Sequence, residues 1–365
     1  MRMAGTGEGI GRYIEEVVRW LMRIDLENQY VLIFMSGASV AKRFTDKNAN
    51  FQTVFTGSKY YSWSEQIGFV RELNALKLDL IHFPSFNAPL LYRGKFVVTI
   101  HDLIHHHYPG KTKLRFFHRL AYRLAMRNAV KRAEKIIAVS EATKRDIAAH
   151  YGVDSSKLQV VYEGVSERFR ESASPEEAAR VKKKYGIGKP YILFVGAWRR
   201  YKNVPLLARI FDIIRDRHHR DWELVLTGNE DAYYPQVKRE VFAIKNKNYI
   251  RALGFVPDDD LGALYQGAAV FVLPSGFEGF GLIAVEAQAS GTAVVASDIS
   301  VLREVLADGA EYFEPDKIEE AAEKIVASAG KADLIRKGKA NAARFDWAST
   351  AAQTLKIYKQ FYENE

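Results

Sequence analysis

The chain has 365 residues, 48% hydrophobic and 12% aromatic, which is enough for two well-filled cores and argues against general disorder. It has no cysteine, so disulfides, thiolate metal sites and cysteine nucleophiles are excluded, and a reducing compartment fits. Lys and Arg number 53 against 44 Asp and Glu, a net charge of +9, so an anionic partner is expected: a phosphorylated small molecule, an anionic lipid or a nucleic acid.

No apolar run approaches the ~18 residues of a membrane span. The first 25 residues carry Glu8, Glu15 and Glu16 and lack a signal-peptide core, so a cytoplasmic protein is expected. Residues 1–11 read as a loop with glycines at 5, 7, 9 and 11. Arg12 then opens an amphipathic helix with Ile14, Val17, Val18 and Leu21 on one side. The spacing is not the dinucleotide G-x-G-x-x-G and no strand precedes it, but Gly9 and Gly11 leave backbone bare enough to approach a phosphate or sugar.

Short β-rich runs follow at residues 30–34, 52–56, 79–83, 96–100, 135–139 and 158–162, alternating with helical stretches. This alternation predicts a parallel, doubly wound α/β sheet, with ligands at the C-terminal strand ends. His101 and Asp102 occupy one such end, and Ser140 and Glu141 occupy another, where they also suit a helix cap. His105, His106 and His107 resemble a metal tract. Consecutive residues converge poorly on one ion, and no carboxylate stands at helical spacing beside them, so no metal site is expected.

From Lys111 to Lys135 nine basic residues face a single acid, Glu134, with Phe116, Phe117, Leu120, Tyr122, Leu124 and Met126 interleaved. A helix here has one apolar, aromatic side and one cationic side. That suits an anionic membrane surface, or a merely solvated face. No nucleic-acid-binding module is recognisable, so nucleic acid is not an expected partner.

Around residues 163–177 the sequence turns polar, and a second β/α series begins at residues 191–195. It continues through 223–227, 249–253, 269–273 and 293–297. The expected domains are 1–170, 171–345 and a last helix at 346–365, capped by Asp346, whose stripe of Ala351, Leu355, Tyr358 and Tyr362 must dock on something. In the second half Arg199, Arg200 and Lys202 lie just past one strand, Gly228 ends the next, and Gly254, Phe255 and Val256 end another. Asp258, Asp259 and Asp260 follow Pro257 and read as an acidic first helical turn rather than a metal site.

The densest feature is the stretch from Gly276 to Glu286. An apolar strand runs into Pro274 and Ser275, then a loop with Glu278, Gly279 and Gly281, then a nearly all-apolar helix from Leu282 to Ala289 interrupted by Glu286. A glycine turn at a helix N-terminus presents N–H groups and a positive dipole end to an anion. A lone charge in that helix would be costly without a partner.

The run VFVLPSGFEGFGLIAV with Glu286 resembles the E-x7-E signature of the retaining glycosyltransferases of family 4, on the GT-B fold. In family order stand Gly9-Ile-Gly-Arg-Tyr13, Val-Thr-Ile-His-Asp-Leu103, Val139-Ser-Glu-Ala-Thr-Lys-Arg-Asp146, Phe194-Val-Gly196 with Lys202-Asn203, and Gly291-Thr-Ala-Val-Val295. The resemblance spans nearly the whole chain.

It implies two Rossmann-like domains facing a cleft, with a nucleotide-sugar held mainly by the C-terminal one. Glu286 would bind ribose hydroxyls and Glu278 the donor sugar. Backbone N–H groups of Gly279, Phe280 and Gly281 would meet sugar and diphosphate, Leu282 would also belong to the donor site, and Lys202 would neutralise the diphosphate. His101 would lie over the sugar, and Gly9 and Gly11 would close on the diphosphate. The activity implied is metal-independent hexosyl transfer to a glycan or lipid-linked acceptor in envelope polysaccharide synthesis, most like the mannosyltransferases, with GDP-mannose as donor. The alternatives are a nucleotide-sugar epimerase of the same fold and an inactive membrane-surface scaffold. Two departures stand out. The family arginine five residues before the phosphate lysine is Ala197 here, so Arg199 or Arg200 is expected to replace it. The family's first strand, central in a doubly wound sheet, is missing, which should leave its neighbours unpaired around a groove.

Overall fold

The computed structural model describes residues 9–45, 48–58, 62, 64–108 and 115–361. They divide into two compact units: one runs to Gly164 and takes in the chain from Asp346, and the other is Val165–Phe345. The division thus falls six residues ahead of the expected 170/171 boundary. The turn Glu167–Phe169 belongs to the second unit, where Phe169 is fully buried and packs edge-on against Tyr265 at 5.8 Å.

The first unit holds β1 (Tyr30–Met35), β2 (Phe51–Thr56), β3 (Ile81–Phe83), β4 (Phe96–Ile100), β5 (Lys135–Ala138) and β6 (Leu158–Val160). All pair in parallel, but in two separate sheets, β1-β2 and β3-β4-β5-β6. Between them lies a cavity of about 550 Å³, lined by Leu32 and Ile33 of β1, Ile81 and Phe83 of β3, and Ile14 and Val17 of the first helix. This is the groove expected where a central strand is missing. Close-packed interiors hold few voids larger than a water molecule, so a slot of this size interrupts the core.

The first helix is Gly9–Ile24, with Tyr13, Ile14, Val17, Val18 and Leu21 buried at helical spacing. Gly9 and Gly11 are therefore in its first turn, not in a loop: Gly9 is exposed and Gly11 buried. Glycine is tolerated there because that turn closes no hydrogen bond through its own N–H groups. The last helix, Trp347–Lys359, is capped by the Asp346 carboxylate, which accepts from the N–H groups of Ala348 (2.8 Å) and Ser349 (3.2 Å). It packs against the first helix, burying Thr350, Ala351, Thr354, Ile357 and Tyr358. The stripe differs from expectation: Leu355 is only half-buried, while Thr350 turns its hydroxyl onto the Tyr162 carbonyl at 2.8 Å. Tyr362 lies outside the described residues.

The second unit contains β7 (Tyr191–Phe194), β8 (Glu223–Thr227), β9 (Ile250–Gly254), β10 (Val270–Leu273), β11 (Val294–Ser297) and β12 (Glu311–Phe313), in one parallel sheet ordered β12-β11-β10-β7-β8-β9. Apart from the outer β9 and β12, every residue of these strands is buried, the signature of a parallel sheet covered on both faces. β12, with only Tyr312 and Phe313 between Glu311 and Glu314, was not legible as a strand.

Candidate active site

Strand order fixes the place of the site. The second unit's strands run outward in one direction from β7 and in the other from β10, so the order reverses between these two neighbours. Ligands of open parallel sheets bind outside the carboxyl ends at such a reversal. The turn after β7 carries Lys202, and the loop after β10 carries Glu278. Their side chains meet, with Lys202 Nζ at 2.7 Å from Glu278 Oε1, exposed by only 14% and 9%. Burial works against the Lys202 charge, but the Glu278 carboxylate outweighs it and raises the ammonium's pKa. The two loops are also clipped by Gly276 N–H donating to the Tyr201 carbonyl at 2.8 Å.

Gly281 sits at φ +90°, a conformation open to glycine, and starts the helix Leu282–Ala289. The Phe280 ring is buried edge-on against Phe345 at 5.4 Å, so only its backbone can face a ligand. Leu282 is buried. Ser275, fully buried at the end of β10, has a hydroxyl with no hydrogen-bond partner among the described residues. Native structures leave few such groups unpaired. Glu286 is also fully buried, and accepts from the Tyr265 hydroxyl at 3.2 Å. The carboxylate that looked unpaired in sequence thus gains a donor from the helix Asp258–Gly267.

The neighbouring strand ends close up. At Gly228 an added Cβ would lie 2.2 Å from the Gly196 carbonyl oxygen, so the ends of β7 and β8 approach this tightly only with glycine there. Gly228 N–H donates to the Gly254 carbonyl at 2.7 Å. Past β9 Val256 is buried, whereas Phe255 is 61% exposed, an open aromatic face at the same edge of the sheet. The two arginines part company. Arg199 Nε lies 3.4 Å from Asp231 in the loop after β8, while Arg200 is exposed to solvent.

In the first unit His101 is 9% exposed at the end of β4. Its Nδ1 is 3.0 Å from Glu163 Oε1 and its Nε2 3.1 Å from the Pro84 carbonyl oxygen, and Tyr13 packs edge-on at 4.7 Å. Behind it, His82 bridges the Tyr358 hydroxyl (2.5 Å) and Thr99 Oγ1 (2.8 Å), and Tyr13 reaches the same Thr99 oxygen at 3.0 Å. Burial, with the His101 ring nearby, pushes the His82 imidazole well down. Glu163 escaped the sequence reading, although its place just past β6 is the same kind of strand end that singled out His101.

Two family models match the chain. The one described as "Glycosyltransferase Family 4" matches residues 7–169, and the one described as "Glycosyl transferases group 1" matches residues 176–333. The chain belongs to the group 1 glycosyltransferases. It is a transferase enzyme of two parallel α/β domains. O-antigen chain mannosyltransferase B of Escherichia coli is 27% identical over 292 residues, covering 77% of this chain and 74% of that one. O-antigen chain mannosyltransferase RfbU of Salmonella typhimurium is 31% identical over 220 residues, 60% of this chain and 56% of its own length. Among solved structures, Anabaena HepE in complex with UDP and glucose superposes with a TM-score of 0.77 at 17% identity, covering 98% of this chain and 97% of that one, a likeness of fold. No helix among the described residues is long and apolar enough to cross a membrane.

Proposed function

We propose that this glycosyltransferase moves mannose, with retention, from GDP-mannose to a glycan or lipid-linked acceptor in envelope polysaccharide synthesis. The observation that carries the reading is the Lys202–Glu278 pair at the strand-order reversal. The mannosyl assignment leans on two relatives named as O-antigen chain mannosyltransferases.

In this reading the pair separates when donor binds. Lys202 turns to the diphosphate, and Glu278 accepts from the sugar's hydroxyls. Glu286 serves the ribose, the N–H groups from Gly279 to Leu282 line the sugar and diphosphate, and Phe255 and Val256 border the base. Gly9, Gly11, Gly228 and the arginines complete the donor contacts, with Arg199 the better placed of the two because it stays by the strand ends. The anomeric C–O bond to the diphosphate breaks as the acceptor oxygen bonds to the same face, and the acceptor's proton passes to the departing phosphate oxygen. Charge growing on the leaving diphosphate is met by fixed cations and N–H dipoles, so the step needs no metal. His101, held by Glu163, is the further catalytic residue of this reading. The cationic helix Arg115–Arg132 faces an anionic membrane surface, where a lipid-linked acceptor would be found; Leu120 and Leu124 stand exposed on it by 46% and 51%.

A thermal-shift screen of the purified chain against nucleotide-sugars tests the donor. A ligand at 100 Kd stabilises by about 2.7 kcal/mol, and GDP-mannose is expected to give the largest shift. A larger shift with a UDP-sugar rejects the donor while leaving the transferase reading intact. Glu278→Ala is expected to abolish donor hydrolysis. Arg199→Ala is expected to weaken donor binding more than Arg200→Ala, and unchanged affinity in both variants removes the arginines from the site. A sugar trapped covalently on Glu278 or Asp102 would overturn same-face attack, and epimerised donor formed without acceptor would favour the epimerase.

A further inference from the structure

The histidine tract at 105–107 acquires a neighbour that only folding supplies. Ile104–His107 forms a short helix after β4, and the helix Glu141–Tyr151 lies against it with Asp146 and His150 one turn apart on one face. His107 Nε2 is 2.9 Å from Asp146 Oδ2, and His150 Nδ1 is 3.1 Å from Asp146 Oδ1. One ligand atom from each of these three residues lies within 4.8 Å of the others. The His106 ring stands edge-on to that of His150 at 4.2 Å, and its Nδ1 is buried with no hydrogen-bond partner among the described residues.

We propose that His107, Asp146 and His150 form a transition-metal site that clamps these two helices together. Two imidazoles and one carboxylate are the donor set of Zn²⁺ and its first-row neighbours, not of Ca²⁺ or Mg²⁺, which want oxygen ligands. Rotamer changes in the three side chains would bring these atoms to the about 2.0–2.2 Å from an ion that such a site requires. Water fills the fourth position, since His107 and His150 are surface residues. Without metal, the Asp146 carboxylate pairs with His107 while His150 Nδ1 bonds the Asp146 backbone carbonyl at 2.9 Å, a bond that an ion on Nδ1 would replace. The consequence lies close in sequence to the proposed chemistry. The short helix begins three residues after His101, and Asp102 Oδ1 accepts from the N–H of its first residue, Ile104, at 2.8 Å. Pinning it to the helix Glu141–Tyr151 restrains the segment that carries His101. The ion takes no part in glycosyl transfer, so this site stands or falls apart from the mechanism above.

The test uses the full chain without a polyhistidine tag. Zn²⁺ titrated calorimetrically is expected to bind at one equivalent, and Co²⁺ to give the visible absorption of a tetrahedral N/O site. Millimolar Mg²⁺ should not displace either. His107→Ala and His150→Ala should each weaken binding about tenfold or more. His105→Ala should leave binding unchanged, because that ring packs edge-on against Phe86 and Tyr122. Asp146→Asn keeps the shape and hydrogen-bonding capacity if an alanine variant melts early, and should also weaken binding. Absence of saturable binding, or equal binding by the His107/His150 double variant, overturns the proposal.

Discussion

Glu163 and Lys202 show how much a single contact adds to a residue's sequence position. Lys202 was legible because cations just past a strand, near a glycine loop, suit a diphosphate. What the sequence withheld was its partner at 2.7 Å, from a loop 76 residues away. Glu163 was passed over because a lone acid before a glycine carries no pattern of its own. Its meaning comes from the imidazole it holds at 3.0 Å. Glu163→Gln keeps the size and hydrogen-bonding capacity of the side chain but removes its charge. Losing a charge-assisted bond of this kind is worth about 1.5–3 kcal/mol, so kcat is expected to fall roughly 10- to 100-fold, with the donor KM little changed. A variant with normal kcat and a raised donor KM would assign Glu163 to binding instead.

Among the elements, helices joined by a buried charge respond to pH. Asp260, in the first turn of the helix Asp258–Gly267, is 5% exposed and accepts from Arg180 Nη2 (2.8 Å), Lys184 Nζ (2.5 Å) and the Tyr185 hydroxyl (2.8 Å). The acidic first turn was expected, but not its third member's role as a tie to the helix Pro175–Lys184. Burial alone would raise its pKa, yet Lys184, Tyr185 and Arg180 together lower it to about 2. With its folded pKa below the unfolded value, the carboxylate stabilises above about pH 4 and loses this as pH falls towards 2. Because the cations are half-exposed and screened, the contribution is about 1–2 kcal/mol. In urea melts the gap between the native chain and Asp260→Asn should narrow over that interval. A gap that stays constant down to about pH 2 would mean that the tie does not depend on the charge.

At the scale of the whole molecule, charge and apolar exposure meet on the helix Arg115–Arg132. Arg123 and Arg127 are exposed beside Leu120 and Leu124. Each basic residue near an anionic surface is worth about 1 kcal/mol, and salt screens it. The chain is expected to sediment with vesicles containing anionic lipid and not with neutral ones. The Leu120→Ser/Leu124→Ser variant should bind more weakly, and raised salt should release the native chain. Equal binding to neutral vesicles, or no effect of the variant, would reduce this to a solvated face.

The sequence by itself determined the elements and their chemistry. β-rich runs of about five residues marked eleven of the twelve strands, most continuously in β7, β8, β10 and β11, which are buried on both faces; β12 left none, because only Tyr312 and Phe313 stand between Glu311 and Glu314. Turn residues marked the strand ends, and the motif order carried the family. The expected groove was also legible, because a doubly wound sheet without its central strand must open at a known place. The tertiary structure alone decided which strand ends are neighbours. Strand order depends on crossover packing between segments far apart in the chain, and it is this order that sets Lys202 against Glu278, Tyr265 against Glu286, and His107 against Asp146 and His150.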